Sequence, residues 1–309
     1  MDFALSTTWF ADRFATGEEL VDEALSIGFD GLELGYTLQM GLVPGILSRV
    51  KDGAVSVRSV HSYCPAPMGQ SGSPELHDLV SRSEQEREHA VQAMLSTLHF
   101  AESVGAEAVV VHAGRVASAS NIWPWLLNRY NSDAADGWLF RWRHERIRRV
   151  RERDIGVFMA RLEHSLDDLL PHFERAHIKM ALEILPSYDA IPLPDEMDAL
   201  YKRYSDGGPL SFWYDIGHGQ VLENTGYISV NDVVTRFAGR IAGCHIHDVL
   251  GPATDHYAPG DGGIDYKSLS QFADPSVIRV FEPSPDVPRE NLAKGLAIVR
   301  KAWNMDKDQ

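Results

Sequence analysis

Eight short apolar segments alternate along the chain with longer segments whose apolar residues recur at helical spacing. The apolar segments lie at residues 3–7, 31–36, 55–64, 108–114, 179–186, 210–219, 241–249 and 277–285. This alternation is typical of a parallel sheet, and eight such units favour a closed α/β barrel over an open sheet. A dinucleotide-binding sheet loses its main support, because no G-x-G-x-x-G motif follows the first segment.

The spacing of these units predicts one domain with one interruption. The 309 residues are 44% hydrophobic, which suffices for a single large core, so we predict one barrel domain over residues 1–309. The polar residues that end successive apolar segments are mostly separated by about 30 residues, the length of one strand–helix unit. His112 and Glu183, in contrast, are 71 residues apart. The excess predicts an insertion of about 40 residues, roughly 115–154, after the fourth strand, on the face where such barrels carry active sites.

The insertion has an unusual composition. It contains four of the seven tryptophans, Trp123, Trp125, Trp138 and Trp142, and seven arginines lie between Arg141 and Arg153. Tryptophan stacks on sugar faces and arginine pairs with phosphate or carboxylate, so the segment is suited to a lid over a sugar-like or anionic ligand. The same residue types are enriched at subunit contacts, so a homo-oligomer interface is the alternative use.

Charge and hydropathy limit the classes of partner. The formal net charge of −15 argues against long nucleic acid, because phosphate binding requires positive patches. No run of about 18 apolar residues occurs, and the first residues show no basic segment followed by an apolar one, so we expect neither a membrane span nor a signal peptide. Cys64 and Cys244 lie in strand-like segments, which suggests reduced thiols. Together these features predict a cytoplasmic protein.

Polar residues stand at or near the ends of six of the eight segments. They are His61, His112, Glu183, Asp215 with His218, His245 with His247, and Glu282. The carboxyl ends of parallel barrel strands meet at one mouth, so these side chains converge. Carboxylate and imidazole are ligands that divalent zinc or manganese prefers, and the pattern therefore predicts a metal site. By the two-residue period His245 and His247 share one face, and Asp248 is a candidate to orient one of them.

At this point the residues match a known group of proteins. The series HSYC, VVVHAG, ALEILP, YDIGHG, CHIHDV, PGDGGID and FEPSP resembles the xylose-isomerase-like TIM barrels, which include sugar isomerases, epimerases and endonuclease IV. The match covers nearly the whole chain outside the insertion. Each motif alone is weak, whereas their joint order and spacing are specific.

The resemblance implies particular roles. In the epimerase branch it implies a four-ligand site of Glu183, Asp215, His245 and Glu282, with His218 as a substrate contact. In the endonuclease branch it implies three metal ions, with four further ligands: His61, His112, His218 and His256. The aspartate that this branch has two residues before His256 is Thr254 here, with Asp255 adjacent, which questions the third ion.

Two reactions compete for this set of residues. Isomerisation or epimerisation needs one group that removes a proton beside a carbonyl and another that returns it, and Glu183 and Glu282 can supply that pair, with His218 and His247 binding hydroxyls. Hydrolysis of a phosphoester uses two or three zinc ions and depends most on His61, His112 and His256. We favour the sugar isomerase or epimerase, with one to three divalent ions of manganese, zinc, magnesium or cobalt.

Overall fold

The computed structural model describes residues 3–66, 72–132, 134–204 and 207–305. Within these residues eight parallel strands close into a barrel in chain order, and β1 pairs with β8 through Ala4 and Val280. The strands are β1 Ala4–Ser6, β2 Gly31–Leu34, β3 Ser56–His61, β4 Ala108–Val111, β5 Lys179–Glu183, β6 Leu210–Asp215, β7 Ile241–Ile246 and β8 Ile278–Phe281. The predicted (β/α)8 TIM-barrel class is confirmed.

Helices surround the barrel and follow the strands. They are α1 Gly17–Ile27, α2 Val43–Lys51, α3 Glu84–Val104, α4 Trp123–Asn131, α5 Gly137–Ala176, α6 Pro194–Tyr204, α7 Ile216–Asn224, α8 Val230–Arg236 and α9 Arg289–Ala302. The segment before β8 forms a 3-10 helix, Tyr266–Ala273, in place of an α-helix. Among the described residues, no helix combines the length and apolar content that crossing a membrane requires.

Most strand residues are buried, because the barrel interior covers one face of the sheet and the helices cover the other, and most of their side chains are apolar. The inward-facing side chains fill the barrel below its mouth and form a small core of their own: Ala4, Ala108, Val110, Ala181, Trp213, Ile278 and Val280. Trp213 takes the space that its small neighbours leave, and a Cβ on Gly243 would lie 2.2 Å from its ring. The ring of Trp213 lies 5.1 Å from that of His245, so this small core, called the plug below, closes the barrel directly beneath its mouth.

The inserted segment begins as a short strand and then contributes two helices. Gly114–Arg115 pairs antiparallel with Ala190–Ile191, and α4 follows. The second half of the insertion is the first half of α5, a helix of 40 residues. From Phe158 onward α5 covers the barrel with one apolar face, and buried Arg87 of α3 donates a hydrogen bond to Asp168 at 2.8 Å.

Candidate metal centre

His245, near the end of β7, is surrounded by three carboxylates. Its Nδ1 lies 3.0 Å from Glu183 Oε1, 3.1 Å from Glu282 Oε2 and 3.5 Å from Asp215 Oδ2. Glu183 ends β5, Asp215 ends β6 and Glu282 follows β8, and all four side chains are buried. One ligand atom from each of the four lies within 4.8 Å of the others. The structure thus brings together the four residues that the epimerase resemblance implies as ligands.

The other nitrogen of His245 is held by a carboxylate that the sequence analysis did not single out. Both Oε atoms of Glu33, from β2, lie 3.2 Å from His245 Nε2, and Ser59 Oγ donates to Glu33 Oε2 at 2.8 Å. Glu33 is fully buried. A carboxylate behind a ligating imidazole fixes the orientation of the ring, here with Nδ1 toward the three acids. The sequence signal that could have identified Glu33 is an acidic residue inside the apolar segment GLELGY.

A second group shares Glu183 with the first. His112 Nε2 lies 3.0 Å and His61 Nε2 3.2 Å from Glu183 Oε2, while Glu183 Oε1 contacts His245. His61 and His112 end or follow β3 and β4, and their rings are 5.0 Å apart. The carboxyl group of Glu183 therefore bridges two clusters of possible ligands, one oxygen to each.

A third group contains His218, His247 and His256. Asp215 caps α7 by accepting from the backbone N–H of His218 at 2.7 Å, which explains why the two residues are three positions apart. His218 Nδ1 donates to the Ile184 carbonyl at 3.0 Å and His256 Nδ1 to the Glu282 carbonyl at 2.8 Å. In this arrangement Nε2 of both residues is available to bind a metal ion or a substrate.

His247 is engaged at both nitrogens. Its Nε2 lies 2.9 Å from Asp215 Oδ1, and its Nδ1 accepts from the backbone N–H of His256 at 2.9 Å. A Cβ on Gly217 would lie 2.0 Å from the ring of His247, so only glycine lets the ring pack against the first turn of α7. These contacts let His247 hold Asp215 in place, and the hydroxyl contact expected from the sequence stays a prediction.

The expected role of Asp248 is wrong. Its carboxylate accepts hydrogen bonds from three backbone N–H groups, those of Val249, Gly260 and Ile264, at 2.9, 2.8 and 3.1 Å. Asp248 therefore shapes the loop after β7 and orients neither histidine. The acid that faces the third group is Asp255, whose Oδ2 lies 3.9 Å from His218 Nε2, in a hairpin formed by Asp248–Leu250 and Thr254–Tyr257.

The two glutamates have opposite protonation preferences. Burial raises the pKa of Glu282 to about 7 against the opposing effect of nearby imidazoles. At Glu183 burial is outweighed by the imidazoles of His245 and His112, which hold the pKa of this carboxyl well below its usual value. The pKa of His245 lies well above its usual value, because the surrounding carboxylates outweigh burial. Two carboxyl groups whose pKa values are shifted in opposite directions are typical of acid–base pairs.

The donor set fits a divalent cation. In the described part of the chain, the acids Glu183, Asp215 and Glu282 have imidazoles as ion-pair partners and no lysine or arginine. Buried carboxylates need compensating positive charge, which the imidazoles supply here and which a bound divalent ion would supply in their place. Three carboxylates with one imidazole suit manganese, magnesium, cobalt or zinc, and two additional imidazoles on Glu183 shift the preference toward zinc.

The centre opens into a cavity of about 280 Å³ at the barrel mouth. Its lining includes Tyr36, His61, His112, Glu183, His218, His256 and Glu282. The ring of Tyr36, which the sequence analysis did not single out, lies 5.4 Å from that of His61. Burial, with the nearby carboxylates, raises the pKa of Tyr36 above its usual range, so its hydroxyl group stays protonated as a hydrogen-bond donor.

The arginine run does not line this cavity. Arg151 is buried and pairs with Glu196, and Arg148 donates to the Gly226 carbonyl at 2.7 Å. Trp138 and Trp142 are 74% and 49% exposed. Arg115, which precedes the run, is the arginine of the insertion that lines the mouth.

Comparisons with known proteins agree with this fold. An uncharacterized protein of Sinorhizobium fredii is 31% identical over 110 residues, which are 36% of this chain and 34% of that protein. The match therefore spans about a third of the relative's length. Among solved structures, a D-tagatose 3-epimerase-like protein has 17% sequence identity and a TM-score of 0.68 over 99% of this chain and 98% of that chain.

Two further structures represent the two branches. The 3-keto-D-glucoside 4-epimerase from E. coli has 15% identity and a TM-score of 0.70, covering 97% of this chain and 99% of that one. An AP endonuclease of family 2 from Brucella melitensis has 18% identity and a TM-score of 0.59, covering 97% and 99%. These likenesses concern the fold. The family model for the xylose isomerase-like TIM barrel matches residues 21–301, and the chain belongs to that family.

Proposed function

We propose that the protein is a divalent-metal-dependent sugar isomerase or epimerase that moves a proton beside a substrate carbonyl through an enediolate. The observation that carries this proposal is the arrangement at His245, where Glu183 and Glu282 approach the same Nδ1 within 3.0 and 3.1 Å from different strands. Two carboxyl groups within a four-ligand site can supply the group that removes the proton and the group that returns it. The epimerases among the structures of the same fold support this choice.

The chain's own residues account for the proton movement. A sugar in the mouth cavity would lie between Glu183 and Glu282, so that one carboxyl group removes the proton and the other returns it. The lowered pKa of Glu183 keeps this carboxyl ionised, as a base must be, and the raised pKa of Glu282 lets that carboxyl carry a proton, as an acid must. The imidazoles of His61, His112 and His218 line the same cavity and can bind hydroxyl groups. A bound divalent cation would supply positive charge where the substrate oxygens become negative.

The test is the variant Glu282→Gln, assayed by exchange of the substrate proton with solvent in D₂O over a panel of ketoses. Loss of one acid–base group lowers kcat by roughly 10²- to 10⁴-fold. Metal content, measured on the same samples, separates loss of chemistry from loss of the ion. A variant that keeps its metal and its full turnover would remove the two-glutamate mechanism.

A multinuclear phosphoesterase is the second candidate. It is favoured by the bridging position of Glu183 and by the free Nε2 atoms of His218 and His256, because such hydrolases hold two or three ions on shared ligands. The net charge of −15 opposes DNA as the substrate. Metal stoichiometry decides between the candidates: one ion per chain supports the epimerase, and three ions support the hydrolase.

A further inference from the structure

The mouth cavity lies beside a second, larger one. This outer cavity has a volume of about 400 Å³, and three residues, Arg115, Pro186 and Asp255, line both cavities. The two volumes are therefore parts of one cleft. The outer cavity lies between α4 of the insertion and the loop after β5, with Trp123 and Leu127 on the first side.

The volumes indicate how much of a substrate each part holds. Pockets for small ligands measure roughly 300–1,000 Å³. The inner cavity, at about 280 Å³, lies just below that range and suits a single sugar ring. The outer cavity, at about 400 Å³, leaves room for a second group of at least the same size.

The outer lining combines an apolar wall with an acceptor. On the α4 side, Trp123, Pro124 and Leu127 offer the kind of surface on which the apolar face of a sugar ring packs. On the opposite side Asp189 is only 1% exposed, and its Oδ1 has no hydrogen-bond partner among the described residues. Arg115 Nη1 lies 3.5 Å from this oxygen. A buried acceptor of this kind is suited to a hydroxyl donor.

The charges in the cleft disfavour an anionic ligand. Arg115 donates to Glu75 Oε1 from Nε at 3.0 Å and from Nη2 at 2.7 Å, and it also contacts Ser187 Oγ. With Asp189 and Asp255 on the same lining, carboxylates outnumber the single guanidinium. Like charges repel across a low-dielectric cleft, so phosphate would bind poorly here.

We propose that the outer cavity is a subsite for a second, uncharged sugar unit, so that the substrate is a glycoside of at least two rings. This inference rests on the proposed function, because the reacting ring would occupy the mouth cavity. It excludes a free monosaccharide and a sugar phosphate as the preferred ligand.

Calorimetry on the full chain loaded with Mn²⁺ tests the inference. The probes are fructose, maltulose, which is a glucosyl-fructose disaccharide, and fructose 6-phosphate. We expect Kd for maltulose to be at least about tenfold lower than for fructose, which corresponds to about 1.4 kcal/mol, because the second ring fills the outer cavity. Fructose 6-phosphate should bind no better than fructose.

Variants locate the effect. Leu127→Trp fills the outer cavity from α4 and should abolish the tenfold difference, while Leu139→Trp, the same change at a 37% exposed position of α5, should preserve it. Should Leu127→Trp fail to fold, Ala253→Phe fills the cavity from the hairpin after β7. Equal affinity for fructose and maltulose, binding of neither, or tightest binding of fructose 6-phosphate would overturn the inference. A maltulose preference without proton exchange in D₂O supports the subsite and sinks the epimerase.

Discussion

The barrel mouth and the inserted segment are both rich in residues that bind ligands, yet the fold treats them differently. At the mouth, histidines and carboxylates from β3 to β8 are buried, or half-buried in the case of His112, and contact one another within 3.0–3.5 Å. In the insertion, Trp123 is buried and lines the outer cavity, whereas Trp138 is 74% exposed. The comparison teaches that a strand end in a closed barrel determines where a side chain goes, while a helix leaves several directions open.

We expect the largest effect from a change at Glu183, because this residue belongs to two of the possible ligand groups at the mouth. Glu183→Ala removes the carboxyl group that contacts both His245 and the His61–His112 pair. We expect loss of bound metal and a fall in kcat/KM of at least about 10³-fold, because a ligand and a proton-transfer group disappear together. Metal analysis and D₂O exchange measure this. An active, metal-loaded variant would contradict the central position given to Glu183.

Two Gly→Ala variants compare how tightly the residues beneath the mouth and those of the inserted helix are packed. Gly243→Ala places a Cβ 2.2 Å from Trp213, and such overpacking costs about 1–3 kcal/mol. Gly156→Ala, in α5, meets no atom within 4 Å and should stabilise the protein by about 1 kcal/mol through helix propensity. Urea unfolding reports both free energies of unfolding. Equal effects would mean that the plug beneath the mouth is looser than its geometry indicates.

We expect a change at Glu33 to have a smaller effect, which is limited to the affinity for the metal. Glu33→Gln keeps the size of the side chain but weakens its hold on His245 Nε2. Loss of such a partner lowers metal affinity by about 10- to 100-fold. Titration with Mn²⁺ or Zn²⁺ gives the Kd, with Glu107→Gln, at a site on the opposite end of the barrel, as control. Unchanged affinity would show that His245 is oriented without Glu33.

The smallest effect should be found on the exposed side of the insertion. Trp138 does not line either cavity of the cleft, so Trp138→Ser should change the free energy of unfolding by less than about 0.5 kcal/mol and leave KM unchanged. A marked rise in KM would restore the lid interpretation for this residue. A change in the sedimentation coefficient would instead support the subunit contact.

Much of the fold could be predicted because strand and helix patterns repeat eight times. The exceptions have local reasons. Gly217 and Gly219 are poor helix formers, so the pattern between β6 and α8 does not indicate α7, which Asp215 caps. The helix before β5 begins inside the insertion, at Gly137, because the arginine-rich half of the insertion is continuous with it. The structure brings the histidines and acids of the mouth together, and their binding of a metal stays a prediction.

Sequence alone determined the alternation of strands and helices and the chemistry at each strand end, since both are written in local residue order. Tertiary structure decided which of those polar groups face one another: that Glu33 lies behind His245, that His247 holds Asp215, and that Asp248 serves the backbone. The reason is physical. Hydrogen-bond partners as far as 212 residues apart are selected by the register and closure of the barrel, which no single segment encodes.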